Sequence, residues 1–210
     1  IGGGAMEAAV IREAVEAIAQ GAPRMVHYAL RDPEGGDLGI CGGEADVYID
    51  VVASSPTLVV VGAGHVAMPV AEIGHLTGFR VVVLDDRPEL TSQERFPHAA
   101  ERIAGDIVQE LDALSITPAT YIVIVTRGHL HDKTVLAQAL RTEAGYIGMI
   151  GSRKKRAAIY RALLDEGFTQ ADLDRVYSPI GLSIGAETPE EIAVSIVGEM
   201  IAVRAGHKLG

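Results

Sequence analysis

The chain has 210 residues, 18 Lys and Arg against 28 Asp and Glu for a formal net charge of −10 at pH 7, 48% hydrophobic residues, 24 glycines and one cysteine. The apolar fraction excludes a disordered chain, and the negative charge argues against general binding to nucleic acid or an anionic membrane. A single cysteine cannot build a disulfide framework and points to a reducing, cytoplasmic setting, while no apolar run approaches the roughly 18 residues of a membrane span.

In chain order, residues 5–20 read as a helix with Met6, Val10, Ile11, Val15 and Ile18 as its apolar stripe and Gly21 as its stop. Residues 25–30 and 46–52 read as two short strands joined by the glycine-rich stretch 31–44. In the second, Val47, Ile49 and Val51 alternate with polar residues, the pattern of a half-exposed antiparallel strand. The small-residue segment 53–57 marks a boundary, giving a partial α+β N-terminal domain over 1–55 and a larger domain over 56–210. The chain opens on Ile1 and a glycine run, so we expect it to be part of a longer protein.

Beyond the boundary the texture changes. Residues 58–61, 81–84 and 121–125 are continuous β-branched apolar runs, as strands buried on both faces must be. Helical segments at about 65–77, 107–114, 132–143 and 153–167 alternate with them, which predicts a Rossmann-like doubly wound parallel sheet with helices on both faces. The last helix opens with Thr188 as N-cap, Pro189 at its first position and Glu191 completing a capping box. Its core stripe is Ile192, Ile196, Met200 and Val203.

Gly62-Ala63-Gly64-His65-Val66-Ala67 fits G-x-G-x-x-A between a buried strand and a helix. The first glycine allows a tight turn, the second lets a pyrophosphate approach the backbone, and the helix N-terminus faces the anion. About twenty residues on, the second strand ends in Asp85-Asp86-Arg87, with Asp85 set to accept from a ribose diol and Arg87 leaving room for a 2′-phosphate. An open parallel sheet carries its ligands beyond the carboxyl ends of its strands. Read to those ends, the strands bring together residues 62–65, 85–87, 105–106, 126–132 and 151–155.

Within 126–132, Arg127 offers anion recognition, and His129 or His131 offers proton transfer, while Asp132 reads as a helix cap. His129, His131, Asp132 and His65 also supply nitrogen and oxygen ligands, yet no metal is assigned to them. Ser152-Arg153-Lys154-Lys155-Arg156 puts four cations in one helical turn, where Ser152 and Arg153 would meet a phosphate or the whole run would be a solvated face. Cys41, between glycines, reads either as a small buried apolar residue or as a thiolate. Residues 178–187 read as a lid over the crevice or a plain connector. His27, His75, His98 and His207 read as structural or surface residues.

The ordered set of the 62–67 loop, Asp85-Asp86-Arg87-Pro88, the 126–132 segment, 146–155, 178–182 and 185–193 closely resembles the XdhC/CoxI family, the xanthine dehydrogenase accessory factors. Residues 2–7 and 41–44 are similar to motifs of that family's small N-terminal domain. The resemblance implies an accessory factor that binds the molybdenum cofactor (molybdopterin or its dinucleotide), assists its sulfuration and hands it to a molybdenum hydroxylase apoenzyme, with a cofactor sulfurase as second partner. It implies a maturation factor rather than a catalyst and leaves a homodimer open. Many members carry cysteine where this chain has Ala5, so Cys41 is the remaining thiol. The residues by themselves leave, as the alternative, an NAD(P)-dependent oxidoreductase using the Rossmann site, with His129 or His131 as acid–base group.

Overall fold

The computed structural model describes residues 4–20, 22–29, 44–51 and 55–207. The chain divides into two compact units, Ile1–Ser54 and Ser55–Gly210. In the first unit, helix α1 (Ala5–Gln20) precedes strands β1 (Arg24–Ala29) and β2 (Glu44–Ile49), which pair antiparallel with Met25 opposite Tyr48 and His27 opposite Asp46. The apolar stripe expected on α1 is split. Val10 and Ala17 are buried, whereas Ile11, Val15 and Ile18 are exposed. Arg24 ties the strand to the helix through Glu13 at 2.7 Å, Glu16 at 2.8 Å and Gln20 at 3.1 Å.

The second unit carries β3 (Thr57–Val61), α2 (Ala67–Leu76), β4 (Arg80–Asp85), β5 (Glu101–Ala104), α3 (Ile107–Ala113), β6 (Thr120–Ile124), α4 (His129–Leu140), β7 (Tyr146–Met149), α5 (Arg153–Asp165), α6 (Gln170–Leu173), β8 (Val176–Tyr177) and α7 (Pro189–Arg204). The six strands form one parallel sheet in the order β5-β4-β3-β6-β7-β8. From β3 the chain winds outward to β4 and β5, then returns to β6 and winds the other way. The switch point therefore lies between β3 and β6, where such a sheet opens a crevice at its carboxyl edge.

The period-2 alternation of each strand builds two cores. Leu58, Val60, Val81, Val83, Tyr121 and Val123 face one side, with Val70 of α2 and Ile196 and Met200 of α7. Val59, Val61, Val82, Leu84, Ile122 and Ile124 face the other, with Leu111 of α3, Leu136 of α4 and Ile159 of α5. Coverage on both faces is why these strands read as unbroken apolar runs. Helix α7 opens as its sequence requires: Thr188 Oγ1 accepts from the Glu191 N–H at 3.2 Å, and the Glu191 carboxylate accepts from the Thr188 N–H at 3.1 Å. Among the described residues no helix is long and apolar enough to cross a membrane.

Candidate functional site

The turn from β3 into α2 is fixed by backbone and side-chain hydrogen bonds. Gly62 has φ +103°, and a Cβ there would lie 2.7 Å from the Val125 carbonyl oxygen and 2.9 Å from Thr126 Cα. This glycine serves the close passage of β3 against the end of β6. The Gly62 N–H donates to the Leu84 carbonyl at 2.7 Å and the Ala63 N–H to Asp85 Oδ2 at 2.6 Å. The Ala63 carbonyl accepts from Arg95 Nη2 at 3.1 Å. Sequence reading missed Arg95, since one arginine in a polar loop carries no signal of its own.

Gly64 differs from Gly62. A Cβ added there would meet nothing within 4 Å, so the folded chain has no need of a glycine at this point. His65 is exposed and Val66 half-buried. Among the described residues no protein acceptor meets the N–H groups of Gly64, His65 or Val66, and α2 begins without a side-chain cap. An uncapped helix N-terminus with free N–H groups and the positive end of the helix dipole is suited to an anion.

Asp85 ends β4 and is 1% exposed. Besides Ala63, it accepts from the Arg87 N–H at 3.0 Å, Arg87 Nε at 2.8 Å and Arg87 Nη2 at 2.9 Å. Burial alone would raise its pKa. The Arg87 hydrogen bonds, the Ala63 and Arg87 N–H groups and the Arg87 charge outweigh it, and the carboxyl titrates below its usual value. Arg87 is correspondingly raised, chiefly by its hydrogen bond to Asp85. Asp86 remains exposed, with its carboxylate 3.6 Å from Arg87 Nε.

A cleft of about 280 Å³ opens at this edge, lined by Asp85, Asp86, Arg87, Ile107, Thr126, Arg127, Gly128 and His131. The fold thus brings the end of β4, the start of α3 and the β6–α4 loop to one place, with Arg127 and His131 both exposed. His129 is the first residue of α4, and its side chain lies outside those described. The helix begins three residues earlier than its pattern suggested, after Gly128 at φ +91°. Asp132 is therefore no cap. It is fully buried, accepts from Thr126 Oγ1 and pairs with Lys155 Nζ.

The cationic turn at the head of α5 divides in the same way. Ser152 is the N-cap, its Oγ accepting from the Lys155 N–H at 3.2 Å. Lys155 turns inward to Asp132, and Arg156 donates to the Ser178 carbonyl. Arg153 and Lys154 remain exposed. Residues 178–182 are pinned down: the Ile180 N–H meets the Met149 carbonyl at 3.3 Å, the Leu182 N–H the Ser195 carbonyl at 3.2 Å, and the Gly181 N–H Glu199 Oε1 at 3.1 Å. Glu199, a buried acid that sequence reading did not single out, also accepts from Tyr146 OH at 2.5 Å. Its signal was an acid next to Met200 on an otherwise apolar helix face. His27 pairs with Asp46 at 2.7 Å, and the His75 and His98 rings stack at 4.8 Å. Cys41 lies outside the described residues. Among the described residues no three His, Cys, Asp or Glu side chains gather as a metal site.

A parallel sheet in this strand order, turning into a helix through G-x-G-x-x-A at its first strand, is a Rossmann domain. A model of the XdhC Rossmann domain matches residues 58–200, and a model of the XdhC and CoxI family matches residues 1–29. The chain is 34% identical over 209 residues to the uncharacterized protein YqeB of Escherichia coli (strain K12), covering 97% of this chain and 38% of that protein. It is 33% identical over 159 residues to a protein of Bacillus subtilis (strain 168) named as a probable xanthine dehydrogenase subunit, covering 76% of this chain and 46% of that protein. It also superposes on the crystal structure of a xanthine dehydrogenase from Bacillus halodurans with a TM-score of 0.64 at 24% identity, covering 98% of this chain and 82% of the other, a likeness of fold. The chain spans less than half the length of these two curated relatives. With its Rossmann-domain match running over residues 58–200 of 210, the chain belongs to the XdhC and CoxI family.

Proposed function

We propose that this chain is the nucleotide-holding part of an accessory factor for a molybdenum hydroxylase of the xanthine dehydrogenase type, working in the cytoplasm. In this reading it binds the molybdenum cofactor, as molybdopterin or its dinucleotide, while the cofactor is sulfurated by a partner sulfurase and inserted into the apoenzyme. Membership of the family supports the reading, as does the name of the Bacillus subtilis relative. The observation that carries it is Gly64, a glycine with nothing within 4 Å of where a Cβ would stand, leading into three N–H groups that meet no protein acceptor among the described residues. A turn of that kind fits a ligand whose phosphate must touch backbone.

The residues present fit the phosphate-bearing part of such a cofactor. The Gly64, His65 and Val66 N–H groups would donate to a pyrophosphate, and Arg127, exposed in the wall of the 280 Å³ cleft, would add charge. At the head of α5, exposed Arg153 would meet a second anionic group. Ser152 Oγ already accepts from Lys155 N–H, but its hydroxyl hydrogen is still available to donate. The bound cofactor would supply the molybdenum and its sulfur chemistry. The chain's own work is to hold the phosphates, exclude water from the crevice and present the cofactor to its partners.

A second reading, an NAD(P)-dependent oxidoreductase, draws on exposed His131 in the wall of the same cleft as an acid–base group. Native mass spectrometry of the chain purified from a molybdenum-replete host separates the two. A molybdopterin species on the chain supports the accessory reading. Bound NAD(P) together with hydride transfer to a substrate replaces it with the oxidoreductase.

A further inference from the structure

Asp85 stands where a Rossmann sheet offers a carboxylate to a ribose diol, yet its acceptor capacity is already used. At 1% exposure, its Oδ1 takes the Arg87 N–H and Nε, and its Oδ2 takes the Ala63 N–H and Arg87 Nη2. A ribose hydroxyl could reach it only by displacing a strut that holds the glycine turn. The next residue is different. The Asp86 side chain is 47% exposed and lines both the 280 Å³ cleft and an adjoining one of about 260 Å³. That second cleft sets Ile107, Val108 and Val135 beside Asp106, His131 and Thr134, a small apolar patch within a polar wall on which the face of a heterocyclic base could rest.

Charge at this corner is also decided. Arg87 lies between two carboxylates, 2.8 Å from Asp85 and 3.6 Å from Asp86. The guanidinium is spent on Asp85, Asp106 adds a further carboxylate in the adjoining cleft, and Arg127, in the wall of the first, is the other arginine there, so the charge immediately around Asp86 is acidic. A 2′-phosphate, itself about doubly negative, would be repelled there, whereas a hydroxyl would find an acceptor.

We propose that Asp86, rather than Asp85, reads the ribose of the bound nucleotide, with the base against Ile107, Val108 and Val135, and that the site selects an unphosphorylated 2′-hydroxyl. This rests on the nucleotide-binding reading above. Asp85 is then a positioning residue that fixes the glycine turn through Ala63 and holds Arg87 out of the ligand's way.

Calorimetric titration of the chain with ADP and 2′-deoxy-ADP, and with NAD and NADP, tests it. The wild type should favour ADP over 2′-deoxy-ADP on the order of tenfold, the worth of one hydrogen bond to a charged acceptor, and should favour NAD over NADP. Asp86→Asn should reduce both preferences while leaving the melting curve unchanged, since among the described residues no backbone N–H donates to the Asp86 side chain. Asp85→Asn should lower the melting temperature and keep the preferences. The inference is overturned if Asp86→Asn binds with the wild-type ratios, or if NADP binds the wild type more tightly than NAD. If none of the four probes binds the wild type, the nucleotide-binding reading itself falls, and the inference with it.

Discussion

Asp132 and Lys155 form an ion pair between the first turn of α4 and the first turn of α5, with the aspartate side chain fully buried and the lysine side chain 15% exposed. Thr126, just past the end of β6, donates to the other carboxylate oxygen. The β6–α4 and β7–α5 connections at the ligand edge are thereby tied at one buried point. The two partners are unequal. Lysine can extend its stem and carry its charge to water, whereas the carboxylate cannot leave. Lys155→Ala should therefore cost about 3–5 kcal/mol, as breaking a buried pair does, and Asp132→Ala less. Urea unfolding of both variants measures this, and a Lys155→Ala variant as stable as the wild type would show that the pair does not hold the edge together.

Gly62 is a second such point. Alanine there would have to adopt φ +103° with its Cβ 2.7 Å from the Val125 carbonyl oxygen. Gly62→Ala should destabilise the Rossmann unit by about 1–3 kcal/mol, the usual cost of a strained backbone at one residue. Thermal melting is the check, and an unchanged melting temperature would contradict the geometry.

Tyr146 is 1% exposed and stacks between Tyr121 and Tyr177, its hydroxyl given to Glu199. Burial, followed by the neighbouring Glu199 charge, pushes its phenol well above the usual 10. Glu199 also holds the Gly181 N–H, so the loop before α7 depends on this acid. Tyr146→Phe should cost about 1.5–3 kcal/mol, the loss of a hydrogen bond to a charged acceptor. Glu199→Ala should in addition release the Gly181 amide to hydrogen exchange. Unaltered protection at Gly181 would mean the loop is held otherwise.

Asp85 gives a pH dependence with a definite sign. Its folded pKa is lowered from the usual 3.8, so below that value the unfolded chain binds protons more readily than the folded one. Its contribution to stability is complete above about pH 4 and is lost as the pH falls through the folded value. Stability measured between neutral pH and about pH 2 should fall at the acid end, and Asp85→Asn should start lower and show a shallower acid limb. An identical acid limb in the variant would mean that Asp85 does not set it.

Much of this arrangement was legible in the chain itself because burial on both faces leaves a plain mark. The runs that became β3, β4 and β6 are uninterrupted, and the Thr188-Pro189-Glu191 cap is local chemistry. β5 and β8 left weaker marks: the first, Glu101–Ala104, is exposed at both ends and carries Glu101 and Arg102, and the second is two residues long. The site was harder to read wherever a partner lay far away in sequence. Asp132 has the spacing of a cap, and only the fold brings Lys155 to it from 23 residues on. Lys155 and Arg156 look like members of a basic run, and only packing turns them inward to Asp132 and Ser178. Asp85 was visible as the acid ending the second strand, but the hydrogen bonds that occupy it were not.

A phosphate-bearing ligand resting on the backbone at Gly64 is the core of the functional proposal. A Cβ at this position meets no atom of the described residues within 4 Å beyond its own chain neighbours, and the backbone there does not require glycine. Titration of ADP into Gly64→Val is the most direct test. The expected result is an unchanged melting curve and an affinity reduced on the order of 100-fold, about 2.7 kcal/mol. A Gly64→Val variant that binds ADP as tightly as the wild type would contradict it.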